Sequence, residues 1–102
     1  MGRNSRSRPI HLAEKLKQIR ESLNLSQDGM LSRLGLTETE GFERSVISAF
    51  ELDKREPALD VLLSYARVAN IYVEVLIDDK IDLPKTLPSK TKSEGIKRAG
   101  SD

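Results

Sequence analysis

The chain has no cysteine, no tryptophan and a single histidine. Without thiols there is no disulfide framework and no thiolate metal site. With His11 alone, neither a histidine metal cluster nor a Ser–His triad can be assembled, and His11 itself reads as a surface residue at a helix start. No apolar run approaches the ~18 residues of a membrane span. The basic opening "MGRNSRSRP" is not followed by the apolar stretch of a signal peptide. No glycine-rich phosphate loop occurs. Carboxylates are plentiful, but they sit in hydrophilic runs, whereas paired acid–base chemistry needs them converging in an apolar cleft. These gaps argue against an enzyme and against a metal or cofactor. They leave an intracellular protein that makes no use of a membrane as the expectation.

What is present is a chain of 102 residues, 37% hydrophobic and 32% charged, the size and make-up of about one water-exposed domain. The net charge of +1 conceals a split. Residues 1–20 hold six Arg or Lys against one acid, residues 38–60 hold seven acids against three basic residues, and residues 83–102 are basic again. Such ends are either solvated tails or arms able to lie on nucleic acid.

The periodicity is helical throughout. Residues 1–9 lack any period and read as a disordered basic arm, with Pro9 suited to a helix start. Leu12, Leu16, Ile19 and Leu23 share one helical face, and Asn24 follows where a left-handed residue often ends a helix. Ser26 is a good N-cap for a helix of about two turns burying Met30, Leu31 and Leu34 and stopped by Gly35. "TETEGFE" has no apolar period except Phe42, and Gly41 argues for a bend. "RSVISAFEL" turns Val46, Ile47 and Phe50 to one side and Arg44, Ser45, Ser48 and Ala49 to the other, a third helix that "DKREP" ends. Pro57 opens a fourth helix with a stripe of Leu59, Leu62, Leu63, Ala66 and Ala69, and Asn70 sits just past its end. In "YVEVLIDD" the alternation of Val73, Val75 and Ile77 favours a strand by propensity. A lone short strand would have no partner, so a short fifth helix is predicted. Residues 81–102, with Pro84, Pro88 and four lysines, read as a flexible basic tail. The expectation is an all-α, compact five-helix domain over residues 10–80 with basic tails.

The order of these elements, with "LKQIRESLNLSQDGMLSRLG" followed by "SVISAFELDKREPALDVLLSYARVANIYVEVL", resembles the lambda-repressor-like, or Xre-type, helix-turn-helix regulators of bacteria and phage. The resemblance covers roughly residues 10–78. It rests on "LNLSQ" before the second helix, "VIS…E" within the third and "K-R-x-P" before the fourth. It implies a sequence-specific DNA-binding transcriptional regulator, cytoplasmic and nucleoid-associated, working on double-stranded DNA as a homodimer. Gln27 matches the glutamine that opens the second helix and bonds a phosphate or supports a base-reading residue. Arg44, Ser45 and Ala49 match outward positions of the recognition helix, with Ser48 beside them. Lys54 and Arg55 match a basic turn on the phosphate backbone, and Glu51 matches a structural glutamate. These roles are physically sensible, since an α-helix fits the major groove and Arg can pair bidentately with guanine. The bland reading of Arg44 is a surface arginine paired with Glu40 or Glu43. Val75, Ile77 and Ile81 read equally as dimer contacts or as core.

Two departures from the family pattern stand out. The family joins the second and third helices by a turn of about four residues, and here "ETEGFE", residues 38–43, is inserted. Leu31 stands where the family usually has Ala, and a larger side chain at a close helix contact costs ~1–3 kcal/mol unless the insert lets the third helix sit further out and Phe42 fills the space. The insert's acids then face one of three ways. They could read the groove edge, where Glu accepts from cytosine N4, or point away from DNA toward a partner chain or the first helix. In the third case DNA binding has been lost to protein binding. The second is favoured, because carboxylates near phosphates cost free energy. The runner-up function is an antitoxin-type or other protein-interaction module on the same fold, using the insert or the C-terminal tail.

Overall fold

The structure, a computed structural model, describes residues 9–88. The arm expected at 1–9 and the tail expected at 81–102 lie outside the described residues, apart from Pro9 and residues 81–88. Within the described span there are five helices and no strand: α1 (Leu12–Ser22), α2 (Gln27–Arg33), α3 (Arg44–Glu51), α4 (Leu59–Ala69) and α5 (Glu74–Ile77). No helix among the described residues is long and apolar enough to cross a membrane.

One core joins all five. Leu12, Leu16 and Ile19 of α1 meet Met30 and Leu31 of α2, Val46, Ile47 and Phe50 of α3, the buried face of α4, and Leu76 of α5. The face of α4 differs from the expected stripe. Val61, Leu62, Tyr65, Ala66 and Ala69 are buried, whereas Leu59 is exposed and Leu63 only half-buried. The helix is rotated so that Val61 and Tyr65, one turn apart, point inward. Tyr65 buries far more area than a leucine, so it wins the inward position. The "YVEVLIDD" segment is helical despite its β-branched alternation, because Leu76 is completely buried and anchors the turn.

Four of the helices end the same way. Asn24, Gly35, Asp53 and Asn70 each adopt a positive φ, between 58° and 78°. After each of them the next amide reaches back to the last full turn: Leu25 to Arg20, Leu36 to Leu31, Lys54 to Ala49 and Ile71 to Ala66. These are Schellman closures, which satisfy carbonyls that the helix itself leaves open. Ser26 caps α2 as expected, its Oγ accepting the Gly29 amide at 2.9 Å.

The start of α1 is capped from a distance. Asp79 accepts the amides of Ile10 and His11 at 3.0 and 3.1 Å. In return Lys15, only 4% exposed, donates its ammonium to the carbonyls of Val75, Asp78 and Ile81 at 2.7–3.1 Å. Three acceptors match the three donors of an ammonium, which is how a lysine can lie buried without a carboxylate partner. The packed chain thus continues past α5, and Leu83 and Leu87 lie partly buried against the core.

Candidate nucleic-acid interface

Helix α3 is amphipathic by construction. Its buried side, Val46, Ile47 and Phe50, fixes the rotation of the helix. Arg44 and Ser45 are left exposed, and Ser48 and Ala49 half-exposed. At ~1.5 Å per residue, eight residues make a rod of ~12 Å, comparable to the width of the major groove. Lys54 and Arg55, both exposed, follow at its C-terminal end. Six of the seven residues expected at the interface therefore lie along α3 or in the turn after it.

The seventh, Gln27, sits at the start of α2 and is half-buried. Its Nε2 donates to Glu51 Oε1 at 3.3 Å. Glu51, whose side chain is only 3% exposed, also receives Arg20 Nε at 2.7 Å and Arg20 Nη2 at 3.1 Å, a bidentate pair. The third arm of that guanidinium, Nη1, donates to the Leu25 carbonyl at 2.9 Å. The Glu51 carboxylate thus ties α1 and α2 to α3, and Arg20 extends the tie to the α1–α2 link. The hydrogen bonds to Glu51 also raise the Arg20 pKa, further favouring its charged form. Sequence reading marked Glu51 as structural but did not find Arg20, since nothing in the pattern of α1 distinguishes it from the other polar residues on that helix.

Arg44 approaches Asp28 of α2 at 3.8 Å, and both side chains are 68% exposed. The expected neighbours Glu40 and Glu43 are not its partners. An exposed pair at that distance contributes little, so the guanidinium can be redirected to another acceptor at small cost.

No protein-family model, curated protein or solved structure matches the chain.

The insert between α2 and α3 is built from two successive turns. Thr39 N donates to Leu36 O at 3.0 Å and Phe42 N to Thr39 O at 3.1 Å. Gly41 has φ +86°, in the third position of the second turn, where a type II turn requires a left-handed residue. Glu38, Glu40 and Glu43 are exposed, while Phe42 turns inward and packs at the edge of the cluster that contains Leu31. The guanidinium of Arg55 lies over the Phe42 ring and over the Phe50 ring, 5.9 Å from each centroid. The insert thus reaches the basic turn after α3, a contact across thirteen residues that the sequence pattern did not signal.

Pro9, Glu56, Pro57, Ala58, Leu59, Leu62 and Ile77 line a groove of about 670 Å³. Of the three residues that read equally as dimer contacts or as core, Val75 is half-buried against the core, and Ile77 and Ile81 are exposed. No group of His, Asp or Glu among the described residues could hold a metal ion.

Proposed function

We propose that the chain is a sequence-specific DNA-binding transcriptional regulator of the lambda-repressor-like, helix-turn-helix type, with α3 in the major groove. The observation that carries this reading is the composition and support of the exposed side of α3. A row of exposed and half-exposed residues, Arg44, Ser45, Ser48 and Ala49, runs into a cationic turn, Lys54–Arg55. The helix is held from behind by the Arg20–Glu51–Gln27 network. Recognition needs both parts: base contacts that specify and phosphate contacts that position. It also needs a rigid mount, because a recognition helix free to rotate cannot hold a register on base edges.

In this reading Arg44 reads a base, by analogy with the bidentate arginine–guanine pair. Lys54 and Arg55 bind phosphates, and Gln27 orients the start of α2 through Glu51. A single α3 covers one half-site. Two-fold pairing of subunits would set two such helices about one DNA turn apart, and the groove that Leu59 and Ile77 line is the surface on which a second copy would sit.

Selection of bound sequences from a random DNA pool tests the proposal. The expected result is a defined, palindromic site whose preference relaxes at one position in Arg44→Ala. If no sequence is enriched and affinity at physiological salt stays near ~10⁻⁵ M, a non-specific level, the chain is not a sequence-specific regulator. Association with a protein and no DNA affinity would instead favour the interaction-module reading.

A further inference from the structure

The acidic insert poses a problem for a DNA-binding face, because it brings three exposed carboxylates, Glu38, Glu40 and Glu43, next to α3. Its one large apolar side chain supplies an answer. We propose that Phe42 is a positioning residue for phosphate binding: the insert exists to place its ring against Arg55, so that Phe42 and Phe50 hold the guanidinium at the DNA backbone. This rests on the DNA-binding reading of the same face and assigns the insert a part in it.

A guanidinium within ~6 Å of an aromatic centroid is attracted by the ring quadrupole. Arg55 meets that condition at two rings, one from α3 and one from the insert. Phe50 is almost fully buried and fixed by the core, whereas Phe42 is held by the Thr39–Phe42 turn and Gly41. Contact with two rings restrains the guanidinium, and a cation held over ring faces can still direct N–H groups to an acceptor outside the molecule. An arginine so restrained loses less conformational freedom on binding than a free one. Two aromatic rings thus flank the Arg55 guanidinium, and the three acids of the insert, Glu38, Glu40 and Glu43, are exposed.

The test is a double-mutant cycle read by duplex binding. Wild type, Phe42→Leu, Arg55→Ala and the double variant are titrated with a fluorescent mixed-sequence DNA duplex over a range of salt. Phe42→Leu is expected to weaken binding about two- to fivefold. Arg55→Ala is expected to flatten the salt slope by about one unit. Phe42→Leu should add nothing once Arg55 is gone, and Phe42→Tyr, which keeps the ring, should retain affinity. A merely structural role would not depend on Arg55, so an equal loss in the Arg55→Ala background overturns the proposal. A second measurement needs no DNA. The Arg55 side-chain protons should be shifted upfield by the rings in NMR spectra, and the shift should shrink in Phe42→Leu. An unchanged shift likewise overturns the proposal. If the wild type binds no DNA but the shift is present, the functional reading fails and the stack remains as packing. That outcome also ends the phosphate role assigned to Phe42.

Discussion

Tyr65 and Asp79 show how single side chains set the stability of this fold. Tyr65 is fully buried, and among the described residues its hydroxyl is a buried side-chain polar atom with no hydrogen-bond partner. Burial pushes its ionisation well above the ordinary tyrosine range. A buried hydroxyl without a partner costs free energy that phenylalanine would not incur. Tyr65→Phe is therefore expected to raise stability by about 1 kcal/mol in urea unfolding, and a loss of that size would show that the hydroxyl is bonded. Asp79 works in the opposite sense. The amides of Ile10 and His11 hold its carboxyl below the usual carboxylate range. Its folded pKa is thus lower than its unfolded one. The stabilisation is fully present above the unfolded value and is lost as pH falls through the folded value. Urea midpoints measured downward from neutral pH should fall more steeply in acid for the wild type than for Asp79→Asn, which has no charge to lose.

At the scale of elements, the repeated helix ending is informative because one copy departs from the rest. After Asn24, Gly35 and Asn70 the next residue is apolar, Leu25, Leu36 or Ile71, and each packs on the core. After Asp53 the corresponding residue is Lys54, which is exposed. A position that three helices use for packing carries a cation on the fourth. Lys54→Leu is accordingly expected to leave thermal stability unchanged or slightly higher. On the proposed DNA-binding reading it should weaken binding for all sequences alike and lower the salt slope by about one unit. A sequence-dependent loss would mean that Lys54 reads bases. The mount behind α3 has the reverse profile. Glu51→Ala strands the guanidinium of Arg20, and breaking such a buried pair costs on the order of 3 kcal/mol, measurable by urea unfolding. Three of the four helix endings were legible in the sequence, because Asn and Gly are the residues that tolerate the left-handed conformation. The one at Asp53 was hidden in a run of charges. The rotation of α4 was also illegible, since Leu59, Leu62 and Leu63 offer two overlapping stripes and only the volume of Tyr65 decides between them.

For the whole molecule, the single core and its helical class follow from period and punctuation, so they could be read directly. The long-range polar contacts could not. Arg20 with Glu51, Lys15 with the carbonyls of Val75, Asp78 and Ile81, and Arg55 with Phe42 join residues whose spacing carries no period. Of the candidate interface, the outer row and two of its supports, Gln27 and Glu51, were legible, and the third support, Arg20, was not. Exposure adds one prediction at this scale. Leu59 and Ile77 are exposed and line the groove near Pro9 and Pro57. If this face pairs two copies, sedimentation of Ile77→Glu should show a shift from dimer to monomer, with helical content kept. A wild type that is monomeric at all concentrations would remove the groove from the account.

The Asp79 and Lys15 contacts have a topological consequence. They fasten the entry of the first helix to the exit of the last, 68 and 60 positions apart along the chain at His11–Asp79 and Lys15–Val75, so the folded body is a closed ring in all but covalent structure. The order in which its arcs are synthesised then matters less than their closure. A permuted chain that begins at Gly41, with the old ends bridged by a flexible linker, should still fold and keep its helical signal. It should lose stability chiefly where the ring was cut, at the turn that carries Phe42.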